Sequence, residues 1–110
     1  MLEQKALSLL GIARRAGRLS LGHDAAEEAI VKNRACLCLC CADASERLQR
    51  EMRHACSYAH KSIPYRTTTI PMALLSQAIG SRAAVITVDD AGFAARLVTL
   101  LDEIRNTGKE

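Results

Sequence analysis

A run of eight consecutive apolar residues, 35–42, constrains the fold of this chain more than any other feature. It lies between two charged residues, Arg34 and Asp43. A short segment that is apolar on both faces is typical of a strand in the middle of a sheet whose two faces are covered by helices. The run therefore predicts the central strand of an α/β domain.

Helical periodicity and further short apolar segments alternate on both sides of this strand. The pattern predicts strands at 18–21, 35–42, 63–67 and 83–88, the third of them near an edge because it contains Pro64. Five helices are expected between and around them, the first ending near Gly17 and the fourth at Gly80. We expect Asp43 to cap the third helix in a capping box with Glu46. Asp89 and Asp90 are expected to cap the last helix, and residues 105–110 to form a frayed tail.

This alternation implies crossover connections and a mostly parallel or mixed sheet between helices. A chain of 110 residues is too short for two cores, so it is expected to form a single domain, 1–110. Hydrophobic residues make up 49% and charged residues 25%, which excludes a disordered or low-complexity chain. Spacing leaves the order of the strands open.

The charge and the aromatic content limit the possible partners. The net charge is +3 and arginine supplies most of the positive charge, which permits nucleic acid without requiring it. Three aromatic residues and no Trp disfavour single-strand binding on stacking platforms. The longest uncharged stretch, 67–81, is shorter than the roughly 20 residues of a membrane span. We therefore expect a cytoplasmic protein with no membrane partner.

The five cysteines are interpreted as core residues in a reducing compartment. Three of them alternate along the predicted central strand, where neighbours on one face are roughly 6.5–7 Å apart. Tetrahedral zinc needs its sulfurs closer together. We therefore expect no metal site, and no cofactor. The cysteines are Cys36, Cys38, Cys40, Cys41 and Cys56.

No catalytic motif is present. The sequence contains no G-x-S-x-G elbow, no phosphate loop and no His-Glu-x-x-His, and His54 and His60 diverge on the predicted helix. We expect neither catalysis nor a small-molecule substrate. The remaining candidates are the strand–helix junctions, where open sheets usually bind ligands. A helix that opens with Gly22 can approach a phosphate, and Arg82 can reach one; equally, Arg82 can be a solvated charge after a helix end.

At these junctions the sequence resembles a known family. The matching segments are 9–18, 21–22, 42–45, 78–80, 85–88 and 90–94. In order and spacing they resemble the ribosomal L7Ae/L30e family of RNA-binding proteins, and more closely its bacterial YlxQ branch. The match runs over about residues 5–100.

The resemblance implies a three-layer α/β/α sandwich around a small mixed sheet of four or five strands, and binding to structured RNA such as the kink-turn. The start of the second helix would enter the groove at the kink, and the loop 80–83 would cover the extruded nucleotide. The turn 43–45 would lie nearby. The RNA-binding candidates are Arg14, Arg15, Arg18, Gly22, His23, Asp24, Asp43, Ser45, Gly80, Ser81, Arg82 and Ala83.

The sequence departs from the kink-turn pattern at the second helix. Members of the family that bind kink-turns resemble Gly-x-Asn-Glu-x-x-Lys, whereas this chain has Asp24, Ala25 and Glu28 at the last three specified positions. Each lost charge-assisted contact costs roughly 1.5–3 kcal/mol, so we expect weaker kink-turn binding. A different RNA, or a ribosomal contact through Arg14, Arg15 and Arg18, remains open.

Three hypotheses follow. The first is a non-catalytic RNA-binding protein of ribosomal type, associated with translation and with ribosomal or translation-factor proteins. The second is a protein–protein adaptor that keeps the fold without kink-turn binding, suggested by Glu27 and Glu28. The third is the substrate-recognition part of an RNA methyltransferase, which is disfavoured because we expect no second domain to supply catalysis.

Overall fold

The predicted alternation of helices and strands is present in the computed structural model, which describes residues 2–107. Within this range, five helices flank four short strands. In chain order the elements are α1 (Leu2–Arg15), β1 (Leu19–Leu21), α2 (His23–Val31), β2 (Leu37–Cys40), α3 (Glu46–Ser57), β3 (Tyr65–Thr67), α4 (Met72–Ile79), β4 (Val85–Val88) and α5 (Ala91–Thr107). None of the helices described is long and apolar enough to cross a membrane.

The four strands form one mixed sheet in the order β1-β4-β2-β3. Strand β4 is antiparallel to both of its neighbours, β1 and β2, whereas β2 and β3 are parallel. All four residues of β2 are buried, as predicted for a central strand, and β3 lies at an edge. Strand β4 runs in the opposite direction to the other three strands. Its amino end therefore lies beside their carboxyl ends, along the edge of the sheet that these strand ends form.

Helices cover both faces of this sheet. Helices α2 and α3 pack on one face, α1 and α5 pack together on the other, and α4 packs against α1. This is the three-layer α/β/α sandwich that the resemblance implied, with four strands. Leu37 and Leu39 alternate along β2 with Cys38 and Cys40, and all four lie in the hydrophobic core.

The cysteines behave as core residues. Cys38, Cys40, Cys41 and Cys56 are buried, and Cys36 is partly buried. A hydrogen bond with Cys56, together with burial, raises the pKa of the Cys38 thiol, and burial raises that of Cys41 to about 11. Such thiols stay protonated and inert at neutral pH.

The predicted capping box of α3 is wrong. Ser45 is the N-cap, and its Oγ accepts a hydrogen bond from the Leu48 N–H at 3.1 Å. The Asp43 carboxylate instead accepts the Met72 N–H at 2.8 Å, at the start of α4. Serine is as good an N-cap as aspartate. Asp43 therefore does not cap α3, and its carboxylate links the segment before α3 to the start of α4.

The last helix differs from its prediction in two ways. Of the two expected caps, only Asp90 accepts a backbone N–H of the first turn, from Phe93 at 2.9 Å. Asp89 accepts the hydroxyls of Ser20 and Thr87, at 2.6 and 2.9 Å. Helix α5 also continues through Thr107, into the predicted tail, whose remaining residues 108–110 lie outside the described range.

Candidate functional site

Four strand–helix junctions meet at the edge where β4 begins. Backbone hydrogen bonds join them in a row: the Gly22 N–H donates to Val85 O at 2.9 Å, and the Cys41 N–H donates to Ala84 O at 3.0 Å. The Ala42 N–H extends the row to Ile70 O at 2.8 Å. We call this surface the junction edge and define it as residues 22–24, 41–45, 68–71 and 80–84.

The first helix to open at this edge, α2, has no side-chain cap. Gly22 is its N-cap, with φ 89° and ψ 169°, and no side chain in the described part of the chain accepts a hydrogen bond from the first turn. The first N–H groups of a helix have no partner within the helix, and its amino end carries partial positive charge. The edge therefore presents backbone donors beside a glycine that leaves room for a close approach.

The loop beside Gly22 is held by one serine. Gly80 ends α4 in the left-handed conformation, and the N–H groups of Gly80 and Ser81 donate to Ser76 O at 2.9 and 3.2 Å. The Ala83 N–H donates to the Ser76 side-chain oxygen at 3.3 Å. Ser76 was not among the predicted site residues, and nothing in the sequence pattern identifies a contact of this kind.

Arg82, at the tip of this loop, is exposed. No carboxylate among residues 2–107 forms an ion pair with it. The loop thus carries an uncompensated guanidinium, and the hydrogen bond from Gly22 to Val85 joins the start of β4, which follows this loop, to the amino end of α2.

Asp43 and Ser45, which were predicted as binding residues, both cap helices at the junction edge. The hydrogen bond from Met72 lowers the pKa of Asp43, which therefore stays ionised at neutral pH. Both residues remain exposed. The Asp43 side chain joins the segment before α3 to the start of α4, while Ser45 caps α3 itself.

His23 lies within a group of carboxylates that the sequence pattern did not reveal. Its Nε2 is 3.1 Å from Oε2 of Glu51 on α3 and 3.8 Å from Oε2 of Glu27, and its Nδ1 is 3.3 Å from Oδ1 of Asp24. Hydrogen bonds with Asp24 and then Glu51 raise the pKa of His23, while Arg47 and His23 lower that of Glu51. A protonated His23 offsets part of this negative charge.

Glu28 is not an uncompensated negative charge. Its Oε1 is 3.5 Å from Nζ of Lys32 and 3.6 Å from Nη2 of Arg34. A glutamate where kink-turn binders of the family carry a lysine would repel phosphate, but two cations share the charge of Glu28. The repulsion expected from this substitution is correspondingly reduced.

Three of the predicted residues are not at the junction edge. Arg18 lies just before β1, where its carbonyl oxygen accepts the Asp89 N–H at 2.8 Å, and Asp89 follows β4. Arg14 and Arg15 end helix α1 next to it. The structure therefore brings together nine of the twelve candidates and leaves these arginines at the opposite end of β1.

No metal centre marks the junction edge in the part of the chain that the structure describes. Within residues 2–107, no group of three His, Cys, Asp or Glu side chains is placed to hold a metal ion. A groove of about 650 Å³ lies between α1 and α5, away from the edge. The edge is an open surface of backbone donors, one free arginine and a histidine–carboxylate group, which suits an extended polar ligand.

Comparisons with known proteins agree with this architecture. Residues 4–98 match the model of the ribosomal protein L7Ae/L30e/S12e/Gadd45 family. RNA-binding protein YlxQ of Bacillus subtilis is 37% identical over 95 residues, which cover 86% of this chain and 92% of that protein.

Two solved structures share the fold. A protein of unknown function from Bacillus halodurans superposes with a TM-score of 0.82 at 32% identity, covering 89% of this chain and 97% of that one. The Giardia lamblia 15.5kD RNA binding protein superposes with a TM-score of 0.73 at 20% identity, covering 93% and 88%. At that identity the second likeness concerns the fold alone.

Proposed function

The chain belongs to the ribosomal protein L7Ae/L30e/S12e/Gadd45 family, and from that premise we propose that it is a non-catalytic RNA-binding protein whose junction edge recognises structured RNA. The similar Bacillus subtilis protein is named as RNA-binding, which supports the same class of ligand. The proposed setting is translation in the cytoplasm, with ribosomal RNA and its proteins as partners.

One observation carries the proposal: the uncapped amino end of α2 adjoins the loop that carries Arg82. The Gly22 N–H is bonded to Val85 O, and Arg82 precedes Val85 by three residues, at most about 10 Å of extended backbone. Backbone donors and a guanidinium in this arrangement can hold a phosphate while the loop contacts a base. Structured RNA is recognised in this way, by shape and by splayed bases.

The RNA we propose is folded, of the ribosomal or the kink-turn kind. Asp24 and Ala25 stand where kink-turn binders of this family are expected to carry an amide and a carboxylate, so tight kink-turn binding is not expected. Glu28 is a smaller obstacle because Lys32 and Arg34 share its charge. At the far end of β1, Arg14, Arg15 and Arg18 supply a second basic surface for a larger RNA.

Crosslinking of the protein to cellular RNA, followed by sequencing of the bound fragments, tests this proposal. We expect folded RNA segments to be enriched, and the same segments to bind the purified protein with an affinity that falls as salt rises. Recovery of no RNA above background, together with no binding to folded ribosomal RNA fragments at low salt, overturns it.

A protein–protein adaptor is the second candidate, and the carboxylates around His23 favour it. When His23 is neutral, Asp24 and Glu27 repel phosphate, whereas Arg47, 3.1 Å from Glu51, still shares the charge of that carboxylate. Under this alternative the junction edge binds a basic protein segment instead of RNA. A pull-down in which partners survive nuclease treatment supports the adaptor, whereas partners lost on nuclease treatment support RNA binding.

A further inference from the structure

A second cavity opens at the outer edge of the sheet, where β3 has no neighbouring strand. It has a volume of about 540 Å³ and lies between α3, β3 and the end of α5. Small-molecule sites usually have volumes of about 300–1,000 Å³. The size suits a mononucleotide or a similar ligand, and the junction edge adjoins the cavity through residues 68 and 69.

Arginine dominates the charge of this cavity. Arg66 is tied in place: its Nε donates to Asp102 Oδ1 at 3.2 Å, and its Nη1 donates to the Tyr65 carbonyl oxygen at 3.0 Å. Arg53 has its guanidinium carbon 5.3 Å from the centre of the Tyr65 ring. Within residues 2–107, neither Arg53 nor Arg105 is in an ion pair. Asp102 balances Arg66, so two of the three guanidiniums have no balancing carboxylate among the described residues.

The other walls suit the organic part of such a ligand. The Tyr65 ring and the side chains of Leu101 and Ile104 form apolar surface. Burial raises the pKa of Tyr65, so its phenol stays neutral and its hydroxyl remains 3.1 Å from Thr67 Oγ1. The cavity thus combines cations with an aromatic and aliphatic wall.

We propose that this cavity binds a phosphate-bearing anion of the nucleotide class, with Arg53 and Arg105 as its main phosphate contacts. The planar guanidinium matches phosphate oxygens in two parallel hydrogen bonds, which a lysine cannot reproduce. The phosphate has two possible sources, a free nucleotide or the backbone of an RNA that extends from the junction edge. Binding of a free nucleotide does not depend on the proposed RNA-binding function.

The free-ligand arm of the test is calorimetric titration of the full chain with ADP, inorganic pyrophosphate and adenosine. The variant R53Q/R105Q removes both charges but keeps a polar side chain with the aliphatic stem through Cδ, and both positions are exposed. Its matched control is R50Q/R96Q, which removes the same two charges from α3 and α5 at exposed positions outside the cavity. We expect ADP to bind the wild type and the control at least about tenfold more tightly than R53Q/R105Q, and adenosine to bind none of them measurably.

The RNA arm measures the affinity of folded ribosomal RNA fragments for the same three proteins over a range of salt. If ADP and pyrophosphate do not bind but R53Q/R105Q loses more RNA affinity and more salt dependence than the control, the phosphate comes from RNA. Thermal melting confirms that both variants are folded. The proposal is overturned if R53Q/R105Q and R50Q/R96Q behave alike in both arms.

Discussion

Gly22 lies at the junction edge, between the end of β1 and the start of α2. Its φ of 89° and ψ of 169° lie in a region of backbone conformation that is essentially reserved for glycine. A Cβ at this position meets no atom within 4 Å, so any cost of a side chain there comes from the backbone alone. The sequence pattern placed Gly22 at a helix opening but could not give its conformation, which depends on the bond to β4.

We predict that Gly22→Ala lowers the free energy of unfolding by about 1–3 kcal/mol because alanine is strained at this φ and ψ. The control is Gly17→Ala, also at open space but at a φ of 73°, closer to the values that other residues adopt in the left-handed region, so the cost should be smaller. Urea unfolding monitored by circular dichroism measures both. Equal losses for the two variants contradict the account of Gly22.

His23 gives the junction edge a dependence on pH. Its pKa lies above the ordinary 6.5, so His23 is charged below that value and loses its charge as pH rises through the raised pKa. The ion pairs it makes therefore stabilise the fold fully below pH 6.5 and progressively less above the raised pKa. The same protonation reduces the negative charge that RNA meets.

We predict that RNA affinity is higher at about pH 6 than at about pH 8, and that His23→Gln removes most of this difference. Glu51→Gln should shift the transition to lower pH because it removes one of the two hydrogen-bonded carboxylates that raise the pKa of His23. Fluorescence anisotropy across this pH range measures both effects. An unchanged pH profile in His23→Gln would assign the dependence to another group.

Helix α4 and its loop show how an element positions a site residue. The hydroxyl and the carbonyl oxygen of Ser76 together hold the loop 80–83, and the Asp43 carboxylate holds the start of the same helix. Periodicity and Gly80 predicted this helix and its end. The tertiary contact that holds its start was not predicted, because Asp43 and Met72 are 29 residues apart and no local pattern records such a contact.

Ser76→Ala is predicted to cost about 0.5–1.5 kcal/mol of stability, the net value of one hydrogen bond, and to speed amide exchange at Ala83. RNA affinity should fall as well because Arg82 is then less well positioned. Ser8→Ala, an exposed helical serine without a side-chain hydrogen bond in the described structure, is the control. Hydrogen exchange and anisotropy report the two effects, and unaltered exchange at Ala83 would contradict the role of Ser76.

At the scale of the whole molecule, strand order decides which predicted residues meet. The apolar run 35–42 was enough to predict a buried central strand and a helix-covered sheet, because burial on both faces leaves a local pattern. The antiparallel insertion of β4 between β1 and β2 leaves none, since it depends on pairing between distant segments. That insertion places the loop 80–83 beside Gly22 and leaves Arg14, Arg15 and Arg18 at the other end of β1.

Because the loop 80–83 lies at the junction edge, the charge of Arg82 should contribute more to RNA binding than an equal charge elsewhere on the surface. Arg82→Ala should weaken binding of folded RNA at least about tenfold, as expected for one charge-assisted contact, and reduce the slope of log affinity against log salt by about 0.7–0.9. Arg96→Ala removes an equal charge from α5, away from the junction edge, and should change both quantities much less. Anisotropy titrations at several salt concentrations measure them. Equal effects of the two substitutions would indicate nonspecific attraction to net charge.

The most direct measurement is an NMR titration of the isotopically labelled full chain with a folded ribosomal RNA fragment at low salt. We predict that amide shifts concentrate at residues 22–24 and 80–84 and that Arg82→Ala greatly reduces them. Shifts that leave these two segments unaffected while other surfaces respond, or no shifts at any RNA concentration, would contradict it.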